Sequence, residues 1–353
     1  MSVGYVLVQW NRHKKIYDVC VVSLVALYLS AFLVVGKLLF RGVEAISDEI
    51  LLIRALGSCA FVMLTLVLSI GPLTRLDSRF FPLLYNRRHL GVATFLVASM
   101  HALLATGFYH GFGTVNPLVS LLSGNTSFGS LRAFPFQILG LGALAILFLM
   151  AATSHDFWNN NLGPRTWKAL HMLAYPAYTL VVFHVALGAM QTQRSVLLGL
   201  LVIAAAAAVV GLHLFTGRRE TRRDIRDGPG PALDGWLDVG AVDEIPHDRA
   251  IVVCVPGGER VAVFRYDNRV SAVTNVCRHQ SGPLGEGKII DGCITCPWHG
   301  WQYRPADGCS PPPFTERIAT YRVRIREGRV QFHPEALAPG TPVQPAQTDG
   351  AAL

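Results

Sequence analysis

The pattern of apolar and polar positions divides the chain near residue 215. Before that point, apolar residues come in long runs that charge rarely interrupts. Six runs stand out, at about 16–39, 50–72, 89–112, 136–153, 169–190 and 195–215. A helix needs ~20 apolar residues to cross ~30 Å of hydrocarbon, and most of the runs reach that length. The run at 136–153 is the shortest. A single run can be a buried helix of a soluble protein. Six in series read as an α-helical membrane bundle of about six transmembrane helices, over residues 1–215. Beyond it the pattern changes to short strand-like stretches at 251–255, 261–266 and 270–275, with Asp267-Asn268 as turn chemistry. A last hairpin, 321–325 with 330–332, folds at Glu327-Gly328. These stretches predict an all-β domain over 235–335. Between the two parts, 216–234 reads as a linker: five arginines suited to anionic headgroups, then Gly228-Pro229-Gly230-Pro231, which breaks helix and permits domain movement. Residues 336–353, with several Pro, Ala and Gln, read as a disordered tail. No internal repeat is visible.

Composition sharpens this division. The chain has 353 residues, 51% hydrophobic and 15% charged. The charged share is below the usual quarter, and the deficit lies in the first part. The net charge of +8 is explained by placement rather than by nucleic-acid binding. Arg12, Lys14 and Lys15 precede the first run, and Arg75, Arg79, Arg87 and Arg88 follow the second. Arg165 and Lys168 follow the fourth, and Arg218, Arg219, Arg222, Arg223 and Arg226 follow the sixth. The alternate loops hold only Lys37 and Arg41, then Arg132, then Arg194. The positive-inside rule then puts both termini and the β domain in the cytoplasm, as in a multi-pass protein of a bacterial-type inner membrane. No cleavable signal peptide is expected, because the first run is too long. The outer loop 113–135 is rich in Gly, Ser and Asn. It can shape an acceptor site or serve as a connection.

The chemistry concentrates in two places. One is Cys277-Arg278-His279 followed, after sixteen residues, by Cys296-Pro297-Trp298-His299-Gly300-Trp301. Two thiolates and two imidazoles on two loops are the ligand set of a [2Fe–2S] centre in which two His replace two Cys on one iron. The same four residues suit tetrahedral zinc, although zinc fingers usually pair Cys with Cys and His with His along the chain. Cys293 lies nearby and reads as a small hydrophobe on a strand. Over 233–334 the chain resembles the Rieske ferredoxin family, with its C-x-H…C-x-x-H-G pattern. Respiratory members of that family carry a disulfide between the two loops. Gly282 and Trp298 stand at the corresponding positions here, and Trp301 stands where those members have a hydrogen-bonding Ser. The resemblance therefore implies a ferredoxin-type domain of lower potential, with Tyr303 left as a hydroxyl donor and with His279 and His299 as the exposed edge through which electrons leave.

The other place is a set of histidines inside the apolar runs. Intramembrane ionisable groups are costly and point to function. His89 and His101 lie twelve residues apart on the third run, and His171 and His184 lie thirteen apart on the fifth. These spacings are ~18 and ~19.5 Å of helix and near whole turns, so each pair is expected to face broadly one side. Matched depth pairs His89 with His171 and His101 with His184, each pair able to hold one haem iron. The plainer reading is that such a His only hydrogen-bonds a neighbouring helix. For His89, beside Arg87 and Arg88 at the membrane edge, it is an interfacial cation or a propionate contact. The motifs Arg87-Arg88-His89-Leu90-Gly91 with His101, and Trp167-Lys168-Ala169-Leu170-His171 with Ala174-Tyr175 and His184, resemble the ferric reductase-like transmembrane superfamily. The resemblance covers about 50–190 and implies a helical bundle holding one or two b-type haems that moves electrons across the bilayer. The haem-binding subunit of the bacterial periplasmic methionine-sulfoxide reductase system, a member of that superfamily, has no His where His89 stands.

The expected function is electron transfer from a cytoplasmic ferredoxin or flavin reductase, through the cluster and haem, to ferric iron, oxygen or a partner reductase outside. Two alternatives remain: flow in reverse from quinol or haem to a cytoplasmic enzyme, and a haem-free membrane anchor for a ferredoxin module. No Gly-x-Gly-x-x-Gly dinucleotide motif follows a strand. The β region is too short to add an oxygenase iron site.

Overall fold

A computed structural model describes residues 12–40, 46–80, 83–84, 86–131, 133–154, 156–193, 196–226, 230–255, 259–279, 281–297 and 300–348. They form two compact units, Gly4–Thr216 and Gly217–Leu353.

The first unit is helical: α1 Arg12–Leu39, α2 Asp48–Leu76, α3 Arg87–His110, α4 Pro117–Ser123, α5 Phe136–Ala152, α6 Asp156–His171, α7 Ala174–Gln193 and α8 Val196–Arg226 up to Thr216. Five segments are long and apolar enough to cross a membrane, and Phe136–Ala152 is a shorter apolar helix. The expected bundle is present. Side chains such as Val22, Leu27, Leu103 and Leu200 are more than half exposed, the lipid-facing surface of a spanning bundle. Inside, Leu56, Cys59 and Met63 of α2 pack on Val97 of α3. Farther along, Leu64 and Leu68 meet Leu147 of α5, Ala177 and Tyr178 of α7, and Val209 of α8.

The fifth run is present as the span Thr166–Gly188, but a turn at Met172 and Leu173 interrupts its helix between α6 and α7. Pro176 explains the break, because it lacks an N–H and its ring crowds the carbonyl four residues earlier. The linker, in turn, is helical through Arg226. Arg and Glu are good helix formers, and β1 begins already at Gly230. The remaining linker residues 227–229 lie outside the described residues.

The second unit is all β. One sheet has the order β1(Gly230–Leu233)-β2(Trp236–Ala241)-β11(Arg329–Phe332)-β10(Val323–Arg326). A second has β12(Ala346–Gln347)-β5(Arg269–Thr274)-β4(Arg260–Tyr266)-β3(Arg249–Cys254), with β9(Thr320–Tyr321) also on β5. A third has β6(Lys288–Ile290)-β7(Cys293–Thr295)-β8(Gln302–Tyr303). Asp267-Asn268 and Glu327-Gly328 both turn with positive φ, at 41° and 55° and at 52° and 72°. That backbone twist matches two-residue hairpins. The expected strand 321–325 is split at Arg322, where the chain passes from one sheet to another. Val253, Val261, Val330 and Phe332 fill a core between the first two sheets. Phe264, Ile294, Tyr303, Cys277 and Cys296 fill a second core beneath the third sheet.

The tail also departs from expectation. Leu337 N donates to Thr320 O at 2.9 Å, Val343 N to Ala306 O at 2.7 Å, and Ala346 pairs with Val270. Main-chain bonds of this kind do not depend on composition, so a Pro-rich segment docks where a strand edge is offered. Residues 349–353 lie outside the described residues.

Candidate functional site

The two cysteine loops are the same turn built twice. Cys277 N donates to Gly282 O at 2.9 Å, and Ser281 N donates back to Cys277 O at 2.8 Å. In the second loop Cys296 N donates to Trp301 O at 2.8 Å, and Gly300 N to Cys296 O at 3.0 Å. The residue closing each turn has positive φ, 59° at Ser281 and 71° at Gly300. Glycine takes that conformation at no steric cost. Both thiols are buried, Cys277 at 1% and Cys296 at 2% exposure. The adjacent Cys296 thiol, then Tyr303 and His279, hold Cys277 down to about 6 against the opposing effect of burial. Tyr303 OH accepts from Arg278 N at 3.1 Å and stands 3.4 Å from Cys277 Sγ. Its proton is therefore directed at the sulfur. Burial first, and the Cys277 thiolate next, raise the Tyr303 pKa far above the usual phenol range, so that proton stays in place.

His279 is not the exposed edge that the sequence suggested. It is 5% exposed. The Trp301 indole lies flat on it, ring centroids 4.3 Å apart and planes 5° apart. Trp301 Nε1 donates to Ser310 Oγ at 3.1 Å, and Phe314 packs on the indole at 4.4 Å. A large apolar ring in place of a small polar residue covers the imidazole. His299, the fourth expected ligand, lies outside the described residues, as does Trp298. Cys293 sits half-buried on β7, paired with Ile290. Among the described residues, no three His, Cys, Asp or Glu side chains gather at single-ion distance. A cluster of the Rieske kind asks for two protein ligands per iron.

In the helical unit, His101 and His184 come together. Their ring centroids are 6.2 Å apart and their planes 80° apart. His101 Nδ1 is bonded to Ile53 O and His184 Nδ1 to Phe136 O, each at 2.9 Å and each across 48 residues. A carbonyl can only accept, so each Nδ1 carries the proton, and each Nε2 keeps a lone pair. One turn after each carbonyl stands a glycine. A Cβ on Gly57 would lie 2.9 Å from His101 Cε1, and one on Gly140 would lie 2.8 Å from His184 Cε1. The ring is thus pressed onto a neighbouring helix in the same way twice. This repeat is one of geometry, and the sequence did not reveal it. Two metal–nitrogen bonds of ~2 Å plus two half-rings span ~6 Å. The pair therefore fits one iron held from both sides, as in bis-imidazole haem.

The other two histidines have separate partners. His89 Nδ1 lies 2.8 Å from Asp18 Oδ1 on α1. Twelve residues leave a third of a turn over, which rotates His89 about 120° away from His101. His171 ends α6 and stacks on Trp167, centroids 3.8 Å apart. Its Nδ1 is bonded to Trp167 O at 3.0 Å, while its Nε2 is buried with no hydrogen-bond partner. Of the remaining histidines, His110 bonds Ser120 and Gln137, His213 bonds its own helix at Val209 O, and His155 lies outside the described residues.

A helical bundle with a facing pair of intramembrane histidines, joined to a β domain with two matched Cys loops, defines a membrane electron-transfer component. Residues 235–322 match the Rieske [2Fe-2S] domain, and residues 56–182 match the ferric reductase like transmembrane component. The chain belongs to the Rieske [2Fe–2S] family through its C-terminal domain and carries a ferric reductase-like transmembrane domain before it. It is 34% identical over 102 residues to the anthranilate 1,2-dioxygenase ferredoxin subunit of Burkholderia cepacia, covering 29% of this chain and 94% of that protein. It is 38% identical over 71 residues to cholesterol 7-desaturase nvd of Xenopus laevis, spanning 19% of this chain but only 16% of that protein. Among solved structures, the oxygenase–ferredoxin complex of carbazole 1,9a-dioxygenase contains a chain 26% identical to it, matched over 30% of this chain and 99% of that one. The TM-score is 0.28, too low to argue from.

Proposed function

We propose that the protein passes electrons from a cytoplasmic donor, a ferredoxin or flavin reductase, to an acceptor on the other side of the membrane, ferric iron or a partner reductase. The observation that carries this reading is the His101–His184 pair, spaced for one iron with both Nε2 atoms available. When bound, a [2Fe–2S] cluster and a b-type haem supply one-electron chemistry, and the protein supplies ligation, spacing and low dielectric. Cys277 and Cys296 would hold one iron of the cluster, and His279 and His299 the other. Tyr303 supports the Cys277 sulfur with a hydrogen bond. His101 and His184 would hold the haem iron from both faces, with Ile53 O and Phe136 O fixing their tautomers. We assign one haem to this pair. His171 retains a free Nε2, while His89 is engaged with Asp18 and is left out. The basic residues at the start of α1, from the end of α2 to the start of α3, and in the last turns of α8 support a cytoplasmic β domain. The likeness to a dioxygenase ferredoxin subunit supports a one-electron carrier.

The test is a redox-poised optical and EPR study of detergent-purified protein, with haem counted per [2Fe–2S]. One haem per cluster is expected, lost in His101→Ala and His184→Ala and kept in His89→Ala. Two haems, one of them lost in His89→Ala, would restore the second pair. No haem would leave a membrane-anchored ferredoxin. A cluster potential above that of the haem would favour flow toward the cytoplasm.

A further inference from the structure

The segment joining α3 to α5 holds the densest group of exposed apolar side chains outside the long helices. Phe112 is 91% exposed and Leu131 77%, while Leu118, Val119, Leu122 and Phe128 are at least half exposed. On a surface facing water, so large an apolar patch would be a liability unless covered. The sequence indicates what covers it. From residue 89 to residue 155, Arg132 is the one Asp, Glu, Lys or Arg. A surface built for a protein partner carries a polar rim around its apolar centre, and this stretch of chain supplies only Arg132 toward the charged part of one. The helix leading into the patch, α3, also exposes apolar side chains, Leu103 at 75% and Tyr109 at 53%.

The local geometry agrees. In α4, Ser120 and Leu121 turn inward, while Leu118, Val119 and Leu122 turn outward. Ser120 Oγ is bonded to His110 Nδ1 at 2.9 Å, and His110 Nε2 to Gln137 Oε1 at 3.2 Å. This pins α4 to the C-terminal end of α3 and the start of α5. Three polar contacts of the loop are made locally. Asn116 Oδ1 accepts from Leu118 N at 3.0 Å, Asn125 Nδ2 donates to Ala133 O at 2.9 Å, and Ser127 N donates to Asn125 Oδ1 at 2.9 Å. Internal satisfaction is what a segment removed from bulk water requires.

We propose that residues 112–131 lie in the boundary between headgroups and acyl chains, with α4 as a short interfacial helix whose outward apolar face is covered by lipid. The partner of this surface is the bilayer. The placement does not depend on the haem assignment.

The test uses the full chain in liposomes, with Leu122→Trp and Leu118→Trp made separately. Both sites are at least half exposed, so neither variant removes a buried contact. The emission of the added indole is read as the difference from the parent protein, with an unchanged far-UV circular-dichroism melt of the full chain as the check on folding. Phosphatidylcholine brominated on its acyl chains is expected to remove most of the added emission, while iodide on both sides of the membrane leaves it nearly unchanged. Quenching by iodide and not by bromolipid in both variants would overturn the proposal, and the patch would then be a water-facing surface for a protein.

Discussion

His101 and His184 stand nearly perpendicular, ring planes 80° apart, although each is held by the same carbonyl-and-glycine arrangement. Perpendicular axial imidazoles give low-spin ferric haem an EPR signal dominated by one large g value, whereas parallel planes give three well-separated ones. The oxidised protein is expected to show the first kind. A well-separated rhombic signal would mean that the rings turn when haem binds.

Gly57→Ala and Gly140→Ala should act against helix propensity. Alanine favours a helix interior by about 1 kcal/mol over glycine. The added methyl, however, would press on the His101 or His184 ring at under 3 Å. The expected result is a folded bundle with less haem, or with high-spin haem in place of low-spin. Haem content and spin state measured beside a thermal melt separate this from simple unfolding.

Tyr303→Phe removes the hydroxyl facing Cys277 Sγ and the acceptor for Arg278 N. A hydrogen bond to a charged sulfur is worth about 1.5 kcal/mol. Only the part gained on reduction shifts the couple, so the cluster potential should fall by up to roughly 60 mV. EPR-monitored redox titration reads the shift directly.

Trp301→Ala uncovers His279 and frees Ser310 Oγ. Loss of a large, partly buried aromatic should destabilise the β domain by about 3 kcal/mol. The uncovered cluster should also bleach faster in air. Urea unfolding and the decay of visible absorbance check the two effects. Trp301→Phe should recover most of the stack without the Ser310 bond.

Much of this was legible in the chain because the signals are local. Long charge-free runs mark membrane spans whatever packs against them, and Cys277, His279 and Cys296 sit in a motif of fixed spacing. The His101–His184 pairing followed from depth alone. What was missed depended on angle or on distant partners. Twelve residues look like whole turns until the remaining third of a turn aims His89 at Asp18. Pro176 puts a turn at Met172 and Leu173 into a span that hydropathy reads as one smooth helix. The burial of His279 depends on Trp301 folding back over it, which spacing does not encode. The arginines after residue 216 suggest a loose tether by composition, yet they are good helix formers and extend α8.

The docked segment after residue 335 has a consequence beyond the single molecule. β12 lies along β5 at Arg269 and Val270, and β9 covers the same strand at Ala272 and Val273. Between them they occupy one edge of a sheet whose strand is otherwise buried and apolar. A bare edge of that kind recruits strands from other chains. The last described residues therefore serve as a guard, using the protein's own backbone to fill the place where a second copy would begin to aggregate.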